Sequence, residues 1–239
     1  MTITAKVAAQ VSKFKDGTTF TYEELQINRE EYPGAAKAIE RLLKKGIVSR
    51  VSTGLFYKPR KTAFGTLQPN EQDLLRPYLY ENGKRVAYIT GLALYNKLGL
   101  TTQVPKNIKL TSRDKRIAAS VGSLKIRSVK SYTDITEENY QYLELLDVIK
   151  DFKTIPDIDS TTAIQNITGK LKKLGSLKIF KALALKYPPR VRAFAGAILQ
   201  QIAPKVNLDD LKTSLNPLSQ FKFGINTKQL STITNWNII

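Results

Sequence analysis

The spacing of apolar residues near the start of the chain predicts a helix. Val7, Val11 and Phe14 recur at intervals of four and three residues, which places them on one helical face. We expect this first helix to begin at Ile3 and to end near Asp16-Gly17, because glycine commonly stops a helix.

Two further helices are predicted before residue 46. Thr21 and Glu24 have the S/T-x-x-E spacing of a capping box, which marks the start of a short second helix. Pro33 and Gly34 open a third helix, since proline is favoured in the first helical turn. Gly46 ends it, as glycine does just beyond the last helical residue.

The third helix has two distinct faces at about 100° per residue. Its apolar face comprises Ala35, Ile39, Leu42 and Leu43. Its opposite face comprises Lys37, Arg41, Lys44 and Lys45. An ordinary amphipathic helix with a solvated outer face has the same pattern. The helix by itself therefore leaves two interpretations open, a solvated surface and a binding surface.

A β-hairpin is predicted directly after this helix. The segments IVSRV and LFYKP flank Ser52-Thr53-Gly54, a three-residue turn with glycine where a left-handed backbone is favoured. Helix, short helix, helix and hairpin is the order of a winged helix-turn-helix, whose third helix lies in the major groove of DNA. The hairpin then reaches neighbouring phosphates or the minor groove. The candidate DNA-binding residues are Lys37, Arg41, Lys44, Lys45, Arg50, Ser52, Thr53, Lys58, Arg60 and Lys61.

The remaining chain predicts an α+β fold with two more parts. Residues 66–135 mix short helices with the alternating strand segments NIKLTS and SLKIRSV, and residues 136–239 are mainly helical. We therefore predict a winged helix-turn-helix domain at 1–65, a small mixed α/β segment at 66–135 and a mainly helical domain at 136–239. In the last part QFKFGI alternates like a strand, and the small residues around Gly196 would let another helix approach closely.

The charge of the chain favours a polyanionic partner. Lys and Arg number 38 against 20 Asp and Glu, which gives a net charge of +18. Such an excess attracts nucleic acid or an acidic protein. Lys125, Arg127 and Lys130 face outward on a predicted strand, where they either extend a DNA-binding surface or simply face solvent.

The residue types present exclude several kinds of chemistry. The chain has no cysteine and no histidine, so disulfides, thiolate nucleophiles, Cys/His zinc sites and histidine-based triads are ruled out. Paired acidic residues stand where helices are predicted to begin and complement the helix dipole there. These pairs are Glu23-Glu24, Glu30-Glu31, Glu137-Glu138 and Asp209-Asp210. No phosphate-binding loop or dinucleotide signature is present, so we expect no enzyme and no cofactor.

The distribution of apolar residues predicts a cytoplasmic protein without a membrane partner. No run approaches the roughly 18 apolar residues of a membrane span. The N-terminal segment has a weak apolar stretch interrupted by Lys6 and no cleavage site, so no signal peptide is expected.

Several segments resemble a known family of bacterial regulators. FTYEEL and AIERLLKKGIVSRVSTGLFYKP resemble the N-terminal winged helix of the AbiEi-type antitoxin and transcriptional-regulator superfamily. YITGLALYNKLGLTTQVPKNIKLTS resembles the second segment of that superfamily. LALKYPPRVRAFAGAIL and LKTSLNPLSQFKFGI resemble the C-terminal half of one of its uncharacterised branches. The resemblance covers nearly the whole chain.

The resemblance implies a role in a type IV toxin–antitoxin pair. Such antitoxins bind and repress their own operon through the winged helix and counter a nucleotidyltransferase-like toxin, with the C-terminal domain implicated in neutralisation. The resemblance implies that the recognition helix of this chain includes Lys37, Arg41, Lys44 and Lys45. It implies likewise that the wing includes Arg50, Ser52 and Thr53. The resemblance implies no catalytic motif.

We therefore predict a sequence-specific DNA-binding transcriptional regulator that acts as an autorepressing antitoxin. Its expected partners are double-stranded DNA of its own operator and a nucleotidyltransferase-like toxin. Two alternatives stay open. One is a protein-binding module that uses the winged helix as a scaffold, with the positive charge steering an acidic partner. The other is a binder of structured RNA, although no RNA-recognition signature is present.

Overall fold

The computed structural model describes residues 2–63, 65–121 and 124–239. Helices and small sheets are mixed along these ranges, so the predicted α+β class is confirmed. The chain forms two compact units, Met1–Val86 with Ala118–Lys125 and Ala87–Ile117 with Ile126–Ile239. Among the helices in these described ranges, none is long and apolar enough to cross a membrane.

The first unit begins with two helices and a three-stranded sheet. Its elements are α1 (Ile3–Lys13), β1 (Thr19–Thr21), 3-10 turns at Glu23–Leu25 and Arg29–Glu31, α2 (Tyr32–Lys44), β2 (Ser49–Ser52) and β3 (Leu55–Tyr57). The strands lie in the order β1-β3-β2, and both neighbouring pairs are antiparallel. Phe56 of β3 stands opposite Phe20 on one side and Arg50 on the other.

A small apolar core holds these elements together. Val7 and Val11 of α1, Phe20 of β1, Ile39 of α2 and Phe56 of β3 belong to one buried cluster. The helical spacing seen in the sequence thus places the expected faces of α1 and α2 in the core. Burying side chains of this size contributes on the order of 1.5–3 kcal/mol each relative to leaving them exposed.

The segment predicted to be the second helix is shorter than expected. The capping contact is present, since the Thr21 backbone N–H donates to Glu24 Oε2 at 3.0 Å. However, the segment makes only the 3-10 turn Glu23–Leu25. Gln26 follows it with a left-handed backbone, at φ 53°, which ends the turn before a helix can propagate.

The hairpin after α2 forms as predicted, but with a tighter turn. Ser52 pairs with Leu55, so Ser52 belongs to β2 and the loop consists of Thr53 and Gly54 rather than three residues. The register shifts between Arg50 and Ser52, which is a β-bulge. Gly54 has φ 75°, where a residue with a Cβ would be strained.

Several short elements complete the chain up to residue 121. They are β4 (Arg60–Thr62), β5 (Gly65–Leu67), α3 (Glu71–Leu79), β6 (Tyr80–Glu81), β7 (Lys84–Arg85), β8 (Ala87–Thr90), α4 (Leu92–Lys97), β9 (Asn107–Ser112) and β10 (Ala118–Val121). β4 pairs with β5 and β6 with β7, each as a separate two-stranded sheet. α3 packs against β1, where the Thr19 hydroxyl donates to the Asp73 carbonyl.

The second unit combines strands with helices of the C-terminal half. Its later elements are β11 (Leu124–Lys130, whose last five residues belong to this unit), α5 (Tyr140–Asp151), α6 (Ser160–Leu174), α7 (Leu177–Ala184), α8 (Pro189–Ile202), α9 (Asp209–Thr213), and 3-10 turns at Phe152–Thr154 and Ile233–Trp236. β9 lies between β11 and β8. α5 and α8 are buried along most of their length, so they form the centre of this core.

The predicted boundaries at 65 and 135 do not coincide with those of the compact units. β8 packs on α5, and Tyr88, Leu94 and Tyr95 share a core with the C-terminal helices. Strands of the predicted middle segment therefore complete the core of the helical part. The segment QFKFGI, predicted as a strand, makes only an isolated parallel bridge between Phe221 and Ile238.

Candidate nucleic-acid interface

The outer face of α2 carries exposed cations. Lys37, Arg41 and Lys44 lie at intervals of four and three residues, which places them in one row along the helix. Lys45, the next residue, caps the C-terminal end. All four are exposed, whereas Ala35, Ala38 and Ile39 on the other side are at most 1% exposed. The predicted separation of charge from core is therefore present on this helix.

Arg50 adds a fifth cation from the adjoining hairpin. It is exposed on β2, and its Cζ lies 5.7 Å from the centre of the Phe56 ring. Burial raises the pKa of the Tyr22 phenol, while the nearby charge of Arg50 opposes that rise and the charge of Glu40 adds to it. The Tyr22 phenol therefore interacts electrostatically with both Arg50 of β2 and Glu40 of α2. We call the five residues Lys37, Arg41, Lys44, Lys45 and Arg50 the cationic ridge.

The cations of the ridge are not neutralised within the described part of the chain. No ion pair joins any of the five to an acidic residue there. By contrast, Lys6 of the same unit pairs with Glu31 at 3.0 Å. Exposed cations without a carboxylate partner keep their charge available for an external anion.

Lys58 has a structural role that sequence analysis did not foresee. Its ammonium donates to the Phe14 carbonyl at 3.0 Å and lies 3.1 Å from Asp16 Oδ1. The side chain is only 25% exposed. Lys58 therefore binds the C-terminal end of α1, where a cation complements the helix dipole, and its charge is already paired.

The remaining predicted site residues occupy two different hairpins. Thr53 is exposed at the tip of the β2–β3 hairpin, and Ser52 beside it is half-buried. Arg60 and Lys61 are exposed on β4 of the following two-stranded sheet. Because they are adjacent in a strand, their side chains point to opposite faces, and at most one of them extends any single surface.

The second unit contains a buried polar cluster that sequence analysis missed. Asp147 of α5 is 1% exposed and lies among residues from β8, from β9 and from the turn between α7 and α8. Its Oδ2 accepts hydrogen bonds from Thr90 at 2.7 Å and from Tyr88 and Thr111 at 3.1 Å. Its Oδ1 accepts from Lys150 Nζ at 2.8 Å and from the Tyr187 hydroxyl at 3.3 Å.

The groups around Asp147 hold defined protonation states. Burial raises the pKa of both Tyr88 and Tyr187, and the charge of Asp147 raises it further, so both phenols remain neutral donors. Burial lowers the pKa of Lys150, but Asp147 opposes this and the net shift is upward, which favours the ammonium form. The arrangement satisfies a buried charge from several directions, and we interpret it as a structural centre.

Acidic residues within an apolar helical run, Glu144 and Asp147, were the available signal for this cluster. In the run LELLDVIK, Leu145, Leu146, Val148 and Ile149 are buried on all sides of Asp147. A buried carboxylate requires partners, but the sequence does not say which. Over the described ranges, no group of three or more acidic side chains is arranged to hold a metal ion.

Comparison with known proteins places the chain in a family. None of the curated proteins matches it. Among solved structures it is similar to the crystal structure of the RV2827C protein from Mycobacterium tuberculosis, with a TM-score of 0.55 and 12% sequence identity. That similarity covers 92% of this chain and 85% of the other, and at this identity it shows a shared fold. Residues 6–178 match a family of unknown function, DUF6088, so the chain belongs to that family.

Proposed function

We propose that the first unit is a winged helix-turn-helix that binds duplex DNA through the cationic ridge, and that the protein is a transcriptional regulator. The observation that carries the proposal is the row of Lys37, Arg41 and Lys44 on the outer face of α2. The row is exposed, unpaired within the described ranges and backed by a buried apolar face. A helix of this kind fits the width of the major groove of DNA.

The order of elements supports the same proposal. α1, β1, α2 and the β2–β3 hairpin follow one another, with β1 completing the sheet, as in a winged helix. The 3-10 turns at Glu23–Leu25 and Arg29–Glu31 occupy the position of the second helix of that motif. In this arrangement α2 is the recognition helix and Thr53 and Gly54 form the tip of the wing.

The direct test measures binding of the full chain to duplex DNA from its own upstream region. If five cations each contact a phosphate, the slope of log affinity against log salt concentration is about −4.5. Affinity then falls about 500-fold between roughly 50 and 200 mM salt. Each of Lys37→Ala, Arg41→Ala, Lys44→Ala and Arg50→Ala should weaken binding and reduce that slope by about 0.9.

A charge-matched control separates the ridge from net charge alone. Lys172 and Lys173 are exposed on α6 of the second unit, so Lys172→Ala with Lys173→Ala removes two charges without altering the ridge. We expect this control to keep the wild-type slope, whereas Lys37→Ala with Arg41→Ala lowers it. Equal effects of the two double variants would contradict the proposal, and so would an absence of binding at low salt.

The antitoxin role is the finer part of the proposal and is supported by the resemblance to AbiEi-type regulators. In that role the protein represses its own operon and neutralises a toxin encoded beside it. The test is coexpression with the neighbouring reading frame, if that frame encodes a nucleotidyltransferase-like protein. Growth arrest by the neighbour alone and rescue by this chain would support the role. Lack of rescue would contradict it without affecting the DNA-binding proposal.

A further inference from the structure

A cationic pocket lies in the second unit, away from the residues of the ridge in sequence. Its volume is about 390 Å³, within the range of pockets that hold small molecules. It is formed by the loop after β9 and the last residues of β11. The lining residues are Ser112, Arg113, Asp114, Lys115, Arg116, Ser128, Val129 and Lys130.

The backbone of the pocket is fixed by hydrogen bonds at both ends of the loop. Ser131 N–H donates to the Ser112 carbonyl at 2.9 Å, and Ser128 N–H donates to the Ile117 carbonyl at 2.8 Å. The Ile117 N–H in turn donates to the Ser128 hydroxyl at 2.6 Å. These bonds anchor both ends of the loop, and anchored ends reduce the conformational freedom that is lost when a ligand binds.

The charge of the pocket is strongly positive. Four cations and one carboxylate line it, and Arg116 and Lys130 are exposed with no ion pair within the described ranges. Arg113 donates to the Ser131 carbonyl at 3.1 Å and lies 3.6 Å from Asp134, but a guanidinium has further N–H groups. Such a set of donors matches the oxygens of phosphoryl groups.

Ser112, at the start of the pocket loop, has a buried hydroxyl. It is 2% exposed, and its hydroxyl has no hydrogen-bond partner within the described part of the chain. A buried hydroxyl without a partner is unfavourable for the fold, so such a group calls for an explanation. Because the hydroxyl oxygen is also closed to solvent, we do not count it among the donors that the pocket offers to a ligand.

We propose that this pocket binds a small anion with two or more linked phosphoryl groups. A terminal phosphate carries about −1.5 to −2 charges near neutral pH, so a linked pair matches the net charge of the lining better than a single phosphate. No aromatic side chain lines the pocket among the described residues, so recognition is directed to the phosphoryl groups rather than to a base. A concave pocket of this size suits a small anion rather than a DNA duplex.

The test is calorimetric titration of the full chain with inorganic pyrophosphate and tripolyphosphate. Both should bind with one-to-one stoichiometry, more tightly than sulfate or inorganic phosphate at equal ionic strength. Arg116→Ala and Lys130→Ala should each weaken binding by about tenfold or more, as expected for loss of a charged hydrogen bond. Lys153→Ala, at an exposed lysine outside the pocket, should leave the affinity unchanged.

Two further measurements complete the test. One compares a nucleoside triphosphate with tripolyphosphate to identify the source of the phosphoryl groups, and the other uses a variant that is expected to fold normally. Nucleoside triphosphate binding as tightly as tripolyphosphate would identify a nucleotide phosphate chain as ligand, whereas weaker binding would favour the free polyphosphate. Ser112→Ala removes a buried hydroxyl without a partner, so it should fold with unchanged or higher thermal stability and keep its affinity for tripolyphosphate. Sulfate binding equal to tripolyphosphate would overturn the proposal. The proposal would also be overturned if the Arg116→Ala/Lys130→Ala double variant bound tripolyphosphate with unchanged affinity. The same holds if this variant weakened only the binding of duplex DNA.

Discussion

The indole ring of Trp236 lies directly on Gly196 of α8. A Cβ built at Gly196 would approach the Trp236 ring carbon Cζ3 to 2.3 Å, closer than any ordinary contact. Trp236 is 1% exposed, and its Nε1 donates to Gln200 Oε1 at 2.8 Å. Because Gly196 has no side chain, the indole of Trp236 can pack against α8. This contact holds the 3-10 turn Ile233–Trp236 on the second unit.

Gly196→Ala should therefore destabilise the second unit. The added methyl displaces the indole, and overpacking of this kind typically costs about 1–3 kcal/mol. Chemical denaturation measures the change in the free energy of unfolding. Gly169→Ala is the matched control, because Gly169 lies inside α6 with nothing within 4 Å of a built Cβ. That control should gain up to about 1 kcal/mol from helix propensity, and an equal loss in both variants would contradict the packing argument.

Removal of the Asp147 carboxylate should be among the most damaging single changes. Asp147→Ala leaves Lys150 without its counter-charge and leaves Tyr88, Thr90, Thr111 and Tyr187 without their shared acceptor. We expect a loss of about 3–5 kcal/mol in the free energy of unfolding.

The ion pair Lys181–Asp210, whose carboxylate is exposed, supplies the comparison for that measurement. Its atoms are equally close, at 2.8 Å, but the Asp210 side chain is 43% exposed. Asp210→Ala should cost no more than about 1 kcal/mol, because the carboxylate that it removes is already partly solvated. Similar losses for the two substitutions would show that burial is not what makes Asp147 important.

Alkaline titration should reveal tyrosines that do not ionise in the folded protein. The pKa of Tyr88, Tyr95 and Tyr187 is raised, principally by burial, with nearby Asp147 or Asp151 adding to the rise. Each folded pKa lies above the unfolded value of about 10. The neutral phenols therefore stabilise the fold fully below that pH, and this contribution is lost as the pH rises above it.

The ultraviolet absorbance of tyrosinate measures this directly. These three of the 11 tyrosines should ionise only together with loss of helical circular dichroism. Tyr187→Phe should reduce the late-ionising absorbance by the amount of one residue. Ionisation of all tyrosines before unfolding would contradict the buried geometry.

Lys58 and Lys44 should respond to substitution in opposite ways. Lys58→Ala removes the hydrogen bond to Phe14 and the ion pair to Asp16, so we expect a loss of about 1 kcal/mol in stability and an unchanged salt slope of DNA binding. Lys44→Ala should leave the stability unchanged and reduce the slope. Thermal denaturation of the two variants measures the stability, and titration with DNA at several salt concentrations measures the slope. A stability loss only in Lys44→Ala together with a reduced slope only in Lys58→Ala would contradict the roles given to these two lysines.

Part of the fold and of the proposed site was predictable because it depends only on the spacing of residues close together in the sequence. The cationic and apolar faces of α2 follow from a period of about 3.6 residues, and the stop at Gly46 and the turn at Gly54 follow from backbone preference. The short second helix was predicted too long, because the Thr21–Glu24 contact is local whereas the ending at Gln26 depends on the path of the chain.

The sequence by itself determined which faces are apolar, where helices start and stop, and which side chains are charged, since these depend on neighbours a few residues apart. Only the tertiary structure decided which groups meet. Asp147 binds partners 36 to 59 residues away in β8 and β9, and Lys58 caps α1 from 44 residues away. Such pairings depend on the packing of the whole core and on the need to satisfy buried charge. They therefore cannot be predicted from local sequence patterns.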